Sequence, residues 1–311
     1  MNKTTFKSIA FGIGILALSF SACKKEETKT DTTVTPAAKS IYEIAKADTN
    51  FSILVAGIEK TGLKATLSGT GTFTVFAPTN SAFRKLDISV EDINNTTDPE
   101  EIAEIKNVIL FHALGTKVKS TDLSNSYAST LFTVNGNGVS LKIAVNPVKI
   151  NNAANVTTAN IEASNGILHI VDEVLIPPTV VDIAVNNGGF TSVVAALDKA
   201  DLVGTLEDSE SITVFAPTDK AFSDIGFKLD DFTKEALAPI LTAHVLGTQV
   251  RSSQIKNNDQ VTSLNENVKL TFNTTMGVKF SGGKTSDISV TTADLQATNG
   301  VVHVINKVIL P

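Results

Sequence analysis

Four histidines are the side chains in this sequence best suited to metal or proton chemistry, and they fall into two matched pairs, His112 with His169 and His244 with His303. Two imidazoles could begin a metal site, but a tetrahedral zinc site takes three or four protein ligands. The nearest acidic candidate, Asp172, is replaced by Asn306 beside the second pair, and no cysteine is available close by. With His169 and His303 inside apolar runs, the expectation is hydrogen-bonded core histidines and no metal. Nucleophilic catalysis has less to draw on. No serine or threonine sits in a nucleophile-elbow pattern, and Asp172 and Glu173 are not both retained in the second set. Gly282-Gly283-Lys284-Thr285 mimics the end of a phosphate-binding loop, yet the position of the required first glycine is Val278 and the flanks are strand candidates. A hairpin turn is the expectation there. Ser68-Gly69-Thr70-Gly71-Thr72 is likewise a loop, since its counterpart is Glu207-Asp208-Ser209-Glu210. These residues predict neither an enzyme nor a cofactor.

The remaining reactive residue is Cys23, the single cysteine. Lys3 and Lys7 precede an apolar stretch from Ile9 to Phe20 that ends in Ser21-Ala22-Cys23, the order of a signal peptide over residues 1–22. A membrane span needs ~20 apolar residues, and Gly12, Gly14 and Ser19 interrupt this one. Small residues directly before a cysteine resemble the lipobox of bacterial lipoproteins, with Phe20 where that motif favours Leu. The resemblance implies cleavage before Cys23 and acylation of the new terminus. At ~0.8 kcal/mol per buried methylene, several acyl chains would hold the protein at a membrane persistently. Residues 23–39 are Lys-, Glu-, Thr-, Asp-, Ala- and Pro-rich and read as a solvated tether. Lys24-Lys25-Glu26-Glu27 after the cysteine resembles a surface-export signal of some Gram-negative lipoproteins; an ordinary charged linker is the other reading. The expectation is an outer-membrane or cell-surface lipoprotein of a Gram-negative bacterium, with a periplasm-facing anchor left open.

The elements that must position the histidines occur twice. Phe51 to Thr79 aligns without a gap on Phe190 to Thr218, and Asn165, Gly166, His169 and Pro177 match Asn299, Gly300, His303 and Pro311. Copies of this length are domains, residues 40–177 and 178–311, meeting at the stiff Pro177-Pro178 junction. Ser40 with Glu43, and Thr179 with Asp182, have capping-box spacing and predict an opening helix in each copy. Phe51, Leu54, Val55 and Ile58, or Phe190, Val193, Val194 and Leu197, then line one helical face. Asp98-Pro99 predicts a helix through Ile109 that Gly115 would end; its counterpart would end at Gly247, with Pro239 starting or kinking it. Val134-Asn135-Gly136 and the runs Val139 to Val145, Val268 to Phe272 and Val278 to Phe280 predict short strands and turns. Ile167 to Ile176 and Val301 to Leu310 suit strands buried on both faces. Helices first and strands later predict segregated α and β parts, an α+β class that is mainly β.

Thr74-Val75-Phe76-Ala77-Pro78-Thr79-Asn80-Ser81-Ala82-Phe83, repeated from Thr213 to Phe222, resembles the first signature box of fasciclin domains. Asn165 to Asp172 and Asn299 to Asn306 resemble the second. The resemblance implies two fasciclin-like domains, each a wedge or sandwich of two small β-sheets with helices from its first half. It also implies adhesion to cells or extracellular matrix. The family's adhesive Tyr-His pair falls on Phe111-His112 and Ala243-His244, so the phenolic hydroxyl that could bond a partner is missing from both copies. Read structurally, His112 lies near a helix C-terminus, where a histidine interacts favourably with the dipole.

Composition narrows the partners. With 32 acidic against 26 basic residues, a nucleic-acid role has no electrostatic support. Tryptophan is absent, the only tyrosines are Tyr42 and Tyr127, and the only arginines are Arg84 and Arg251. Interfaces concentrate their energy in these three residue types, so single contacts are expected to be weak. The leading expectation is adhesion or interaction through weak multivalent contacts with extracellular protein, matrix or other cells. The alternative is an envelope binder of an apolar small molecule such as a pigment or lipid.

Overall fold

The computed structural model describes residues 38–311, so the leader, Cys23 and the tether up to residue 37 lie outside the described residues. In the first copy Ser40 accepts from the Glu43 amide while Glu43 accepts from the Ser40 amide, which starts α1 (Ile41–Ala47). Reciprocal bonds of this kind satisfy amides that the first helical turn leaves without partners. Helices α2 (Ser52–Lys60) and α3 (Lys64–Ser68) follow and bury Ile53, Leu54, Ile58 and Leu67. Strand β1 (Phe73–Pro78) then interrupts the helices, before α4 (Asn80–Arg84), α5 (Val90–Asn95) and α6 (Pro99–Phe111). Strands β2 (Ala113–Leu114), β3 (Ser126–Val134), β4 (Asn137–Ala144), β5 (Lys149–Ile150), β6 (Ala154–Ala163) and β7 (Gly166–Val171) complete the copy. Neighbouring strands pair in chain order, and β7 returns to β1 in parallel, so the seven close into a barrel.

The second copy repeats this plan with α7 (Val180–Asn187), α8 (Thr191–Lys199), α9 (Val203–Glu207), β8 (Ile212–Pro217), α10 (Asp219–Asp224), α11 (Lys234–Thr242) and β9 (Val245–Leu246). Strands β10 (Gln260–Thr262), β11 (Lys269–Asn273), β12 (Lys279–Gly282), β13 (Thr285–Gln296) and β14 (Gly300–Ile305) follow. The seven form an open sheet ordered β10-β11-β12-β13-β14-β8-β9, and between its ends the Leu264 amide donates to the Val245 carbonyl at 2.7 Å. The chain is thus mixed α+β, with a barrel- or sandwich-like sheet and helices in each copy.

The parallel pair β1–β7 is the centre of the first copy because it is apolar on both faces. Val75, Ala77 and Leu168 pack against the helices, while Phe76 and Val171 fill the barrel with Phe111, Val139, Leu141 and Ile150. In the second copy Ala216, Val302 and Val304 face the helices, and Phe215 and Ile305 face the sheet interior with Phe272 and Phe280. Burying one such side chain stabilises by ~1.5–3 kcal/mol, so the parallel pair ties the two cores of each copy together.

Several sequence expectations need correction. The apolar runs Ile167 to Ile176 and Val301 to Leu310 are strand only as far as Val171 and Ile305. Beyond them Asp172 and Asn306 turn back to accept the amides of Asn155 and Ser289 (2.7 and 2.8 Å), which ends the pairing. The predicted strand Val139 to Val145 begins earlier, at Asn137, and ends at Ala144. Helix α6 runs to Phe111 and is capped by His112 rather than ended by Gly115, because the chain turns at once into β2. Pro239 lies inside α11, whose N-cap is Thr233. The segregation of α from β is incomplete, since β1 and β8 lie among the helices in sequence. The two predicted turns form as hairpins. Asn135 (φ 51°) and Gly136 (φ 76°) link β3 to β4, and Gly283 (φ 56°) with Lys284 links β12 to β13. A Cβ on Gly283 would lie 2.0 Å from the Leu310 carbonyl oxygen, so only glycine fits there.

Candidate functional site

All four histidines are buried, with a hydrogen-bond partner at each ring nitrogen. His112, capping α6, places Nδ1 2.7 Å from the Val108 carbonyl and accepts the Leu175 amide on Nε2 at 2.9 Å. His244 repeats this with the Ile240 carbonyl and the Ile309 amide, both at 2.8 Å. Each ring therefore donates from Nδ1, accepts at Nε2, and pins the segment after the last strand of its copy to a helix end. Burial pushes both down to about 4 from an ordinary 6.5, which makes them neutral at neutral pH. The favourable interaction of His112 with its helix terminus is therefore a neutral hydrogen bond and not an ion–dipole attraction.

His169 and His303 use the other tautomer. Their Nε2 atoms contact the Val118 and Val250 carbonyls at 3.0 and 2.9 Å, and Nδ1 accepts the Asn160 and Asp294 amides at 3.4 and 3.2 Å. Each ring stacks on the facing residue of the parallel partner strand, Phe76 at 5.5 Å or Phe215 at 5.4 Å between centroids. Burial lowers both rings' proton affinity. With every ring nitrogen engaged, none is free to ligate a metal, and among the described residues no group of three or more His, Cys, Asp or Glu is placed to hold one.

The other recurring polar residues of the boxes are also internal fasteners. Asn165 accepts the Ile41 amide and donates to the Leu67 and Gly69 carbonyls; Asn299 does the same for Val180, Leu206 and Glu207. Thr74 bridges Thr116 and Val118, and Thr213 bridges Thr248 and Val250. The motif-equivalent pairs Phe111-His112 and Ala243-His244 share this fate, at 0%, 1%, 0% and 4% exposure. Those positions offer a partner no surface.

Sequence reasoning missed the seam between the copies. Gln296, 1% exposed, donates its backbone amide to Ser140 Oγ of β4 at 2.9 Å. Its Oε1 accepts from Gln249 and Arg251, and its Nε2 donates to the Ala297 and Gly300 carbonyls. Gln249 in turn accepts from Asn135 at the tip of the β3–β4 hairpin, 3.1 Å away. Lys142 of β4 and Asn152 donate to the carbonyls that end α7, which places a cation and an amide against the negative helix terminus. At the matching position of the first copy Glu162 forms exposed ion pairs with Lys117 and Lys119. The second copy carries Gln296 and Gln249 where the first has Glu162 and Lys117, at equal spacing from the histidines. The charged pair is thus replaced by two amides at these two positions of the seam, while Arg251, the counterpart of Lys119, keeps its charge and faces Asp294 at 3.9 Å with both side chains about a quarter exposed.

Beside this clasp a cleft of about 930 Å³ opens between β3–β4 and β13, with Lys142, Arg251, Asp294 and Tyr127 on its walls. Tyr127 packs against the second copy's core; its buried hydroxyl has no partner among the described residues, and burial pushes it up to about 12.

The chain is thus two tandem helix-capped β modules, fastened through polar box residues and clasped at a polar seam. The Fasciclin domain model matches residues 49–177 and 188–311, and the chain belongs to the fasciclin family. Fasciclin domains are associated with cell adhesion and interaction with other proteins. The chain is 29% identical over 175 residues to Protein sll1483 of Synechocystis sp., covering 56% of this chain and 94% of that protein. It is 31% identical over 289 residues to transforming growth factor-beta-induced protein ig-h3 of Sus scrofa, covering 88% of this chain and 38% of the relative. Periostin of Homo sapiens is 27% identical over 265 residues, with 80% and 29% covered, so the chain spans well under half of either animal relative. A solved FAS1 domain pair from the insect cell adhesion molecule fasciclin I is 17% identical, with a TM-score of 0.45 over 87% of this chain and 96% of that one.

Proposed function

We propose that this chain is a cell-envelope adhesion or interaction lipoprotein, held to a membrane through acylated Cys23 and acting by weak, multivalent protein or matrix contacts. The observation that carries the reading is the pair of fasciclin domains, preceded in the sequence by an apolar stretch with the pattern of a signal peptide that ends at the single cysteine. A non-enzymatic role is supported by the four histidines, neutral and saturated by hydrogen bonds. Because Phe111, His112, Ala243 and His244 are buried, the contacts fall to other surfaces of the two domains. Display of many copies compensates for weak single sites, since linked sites raise avidity by ~10²–10⁴.

The test uses whole cells. Cells expressing the chain should be retained on a biofilm or matrix surface, and Cys23→Ser cells should shed the protein and lose retention. Protein purified without the leader should block retention only at concentrations far above the displayed amount. Equal retention of cells lacking the gene defeats the adhesion reading, and an unacylated Cys23 in the mature protein's mass spectrum defeats the anchor.

A further inference from the structure

The two copies differ sharply at one place on their helical sides. In the first, an apolar groove of about 350 Å³ runs between α2, α5 and α6, with Leu54, Ile88, Ile93, Ile105 and Val108 among its walls. Leu86 and Ile176, 47% and 57% exposed, stand at its lining as large apolar side chains open to solvent. In the second copy the positions of Ile88 and Ile93 are Phe227 and Phe232. Their rings stack 4.9 Å apart, and Phe227 also packs on Phe222, the counterpart of Phe83, at 4.9 Å. The second copy thus puts two aromatic rings where the first keeps aliphatic walls around a groove.

The groove also has a charge signature. Asp92, Glu101 and Glu104 line it, and no lysine or arginine does. Asp92 is held ionised by its capping bonds to Ser89. Counting back from the matched histidines, Glu101 and Glu104 become Thr233 and Ala236 in the second copy. Asp92 keeps an acidic counterpart, Asp231, so what the second copy loses together with the open groove is the pair Glu101 and Glu104.

We propose that the groove of the first fasciclin domain binds a molecule with an apolar body and a protonated amine, the body between Ile88, Ile93 and Ile105 and the ammonium at Glu101 and Glu104. An apolar anion of the same length is disfavoured by the three carboxylates, and an apolar alcohol gains the burial without the charge. This site is independent of the adhesion reading.

The test is calorimetric titration of the leaderless whole chain at pH 7 with decylamine, 1-decanol and decanoate, each kept below micelle formation. The expected result is one decylamine per chain, bound at least tenfold tighter than decanoate, with decanol between. Glu101→Gln/Glu104→Gln should bring decylamine down to the affinity of decanol while leaving decanol unchanged. Ile88→Phe/Ile93→Phe, which copies the second domain, should lose decylamine binding at least tenfold with an unchanged circular dichroism spectrum. The single Ile93→Phe serves if the double variant does not fold. Decanoate binding as tight as decylamine, two equivalents per chain, or full binding by the filled variant overturns the proposal.

Discussion

At the residue scale the buried histidines make stability depend on pH. His112 and His244 have folded values of about 4 against 6.5 for the free group, so the unfolded chain binds more protons between those limits. Stability is therefore fully present above pH 6.5 and is lost as pH falls towards 4. At 1.36 kcal/mol per unit the loss is about 3 kcal/mol for each ring. His169 and His303, also lowered, act in the same direction. The expected outcome is a urea midpoint that drops steeply between pH 6.5 and 4.5, with His244→Gln less stable at pH 7 but shallower in slope. A flat midpoint across that window would show that the rings are charged in the folded protein. Tyr127 gives a second expectation at this scale. Its hydroxyl is buried without a protein partner among the described residues, so Tyr127→Phe should leave the thermal midpoint unchanged or raise stability by up to ~1 kcal/mol. A clear fall would mean that the hydroxyl is bonded in solution.

At the element scale, the capping boxes and hairpins carry predictions of their own. Ser40→Ala and Thr179→Ala each remove a reciprocal cap and should cost ~1 kcal/mol by chemical denaturation. Gly136→Val forces a β-branched residue to positive φ and should cost ~1–3 kcal/mol, whereas Gly189→Ala, with nothing within 4 Å and no positive φ, should be nearly neutral. These local features were legible because caps and tight turns are written within four residues. Strands β6 and β13 were not. They are rich in Thr, Asn and Asp, and at Asn160 (φ 63°) and Asp294 (φ 61°) a register shift breaks the alternation on which strand reading depends. The role of the boxes was half legible. Their apolar pattern gives the parallel pair, but only the fold shows that Asn165 is bonded to Ile41 and Leu67, far off in sequence. Burial of Phe111 and Ala243 was likewise hidden, since the helix-to-strand turn after α6 and α11 draws both residues inward.

At the scale of the whole molecule, the polar seam makes two domains one body. Residues 38–311 form a single compact unit, and the bonds that cross it, such as Ser140 to Gln296, join residues no local pattern connects. Buried polar contacts add little net stability, but each has few alternative partners, so they specify one arrangement. If adhesion depends on two weak sites presented at a fixed separation, loosening the seam should weaken adhesion while leaving each domain folded. Ser140→Glu is the suitable change. Ser140 lies on β4 facing the second copy and is 8% exposed, so a carboxylate there meets the Gln296 backbone in a buried setting and costs several kcal/mol unless the domains part. The expected outcome is an unchanged far-ultraviolet spectrum, a larger radius of gyration by X-ray scattering, and at least tenfold weaker retention of cells at matched surface density. Unchanged retention by a demonstrably opened Ser140→Glu chain would mean that the domains adhere independently, leaving the clasp a role in stability alone.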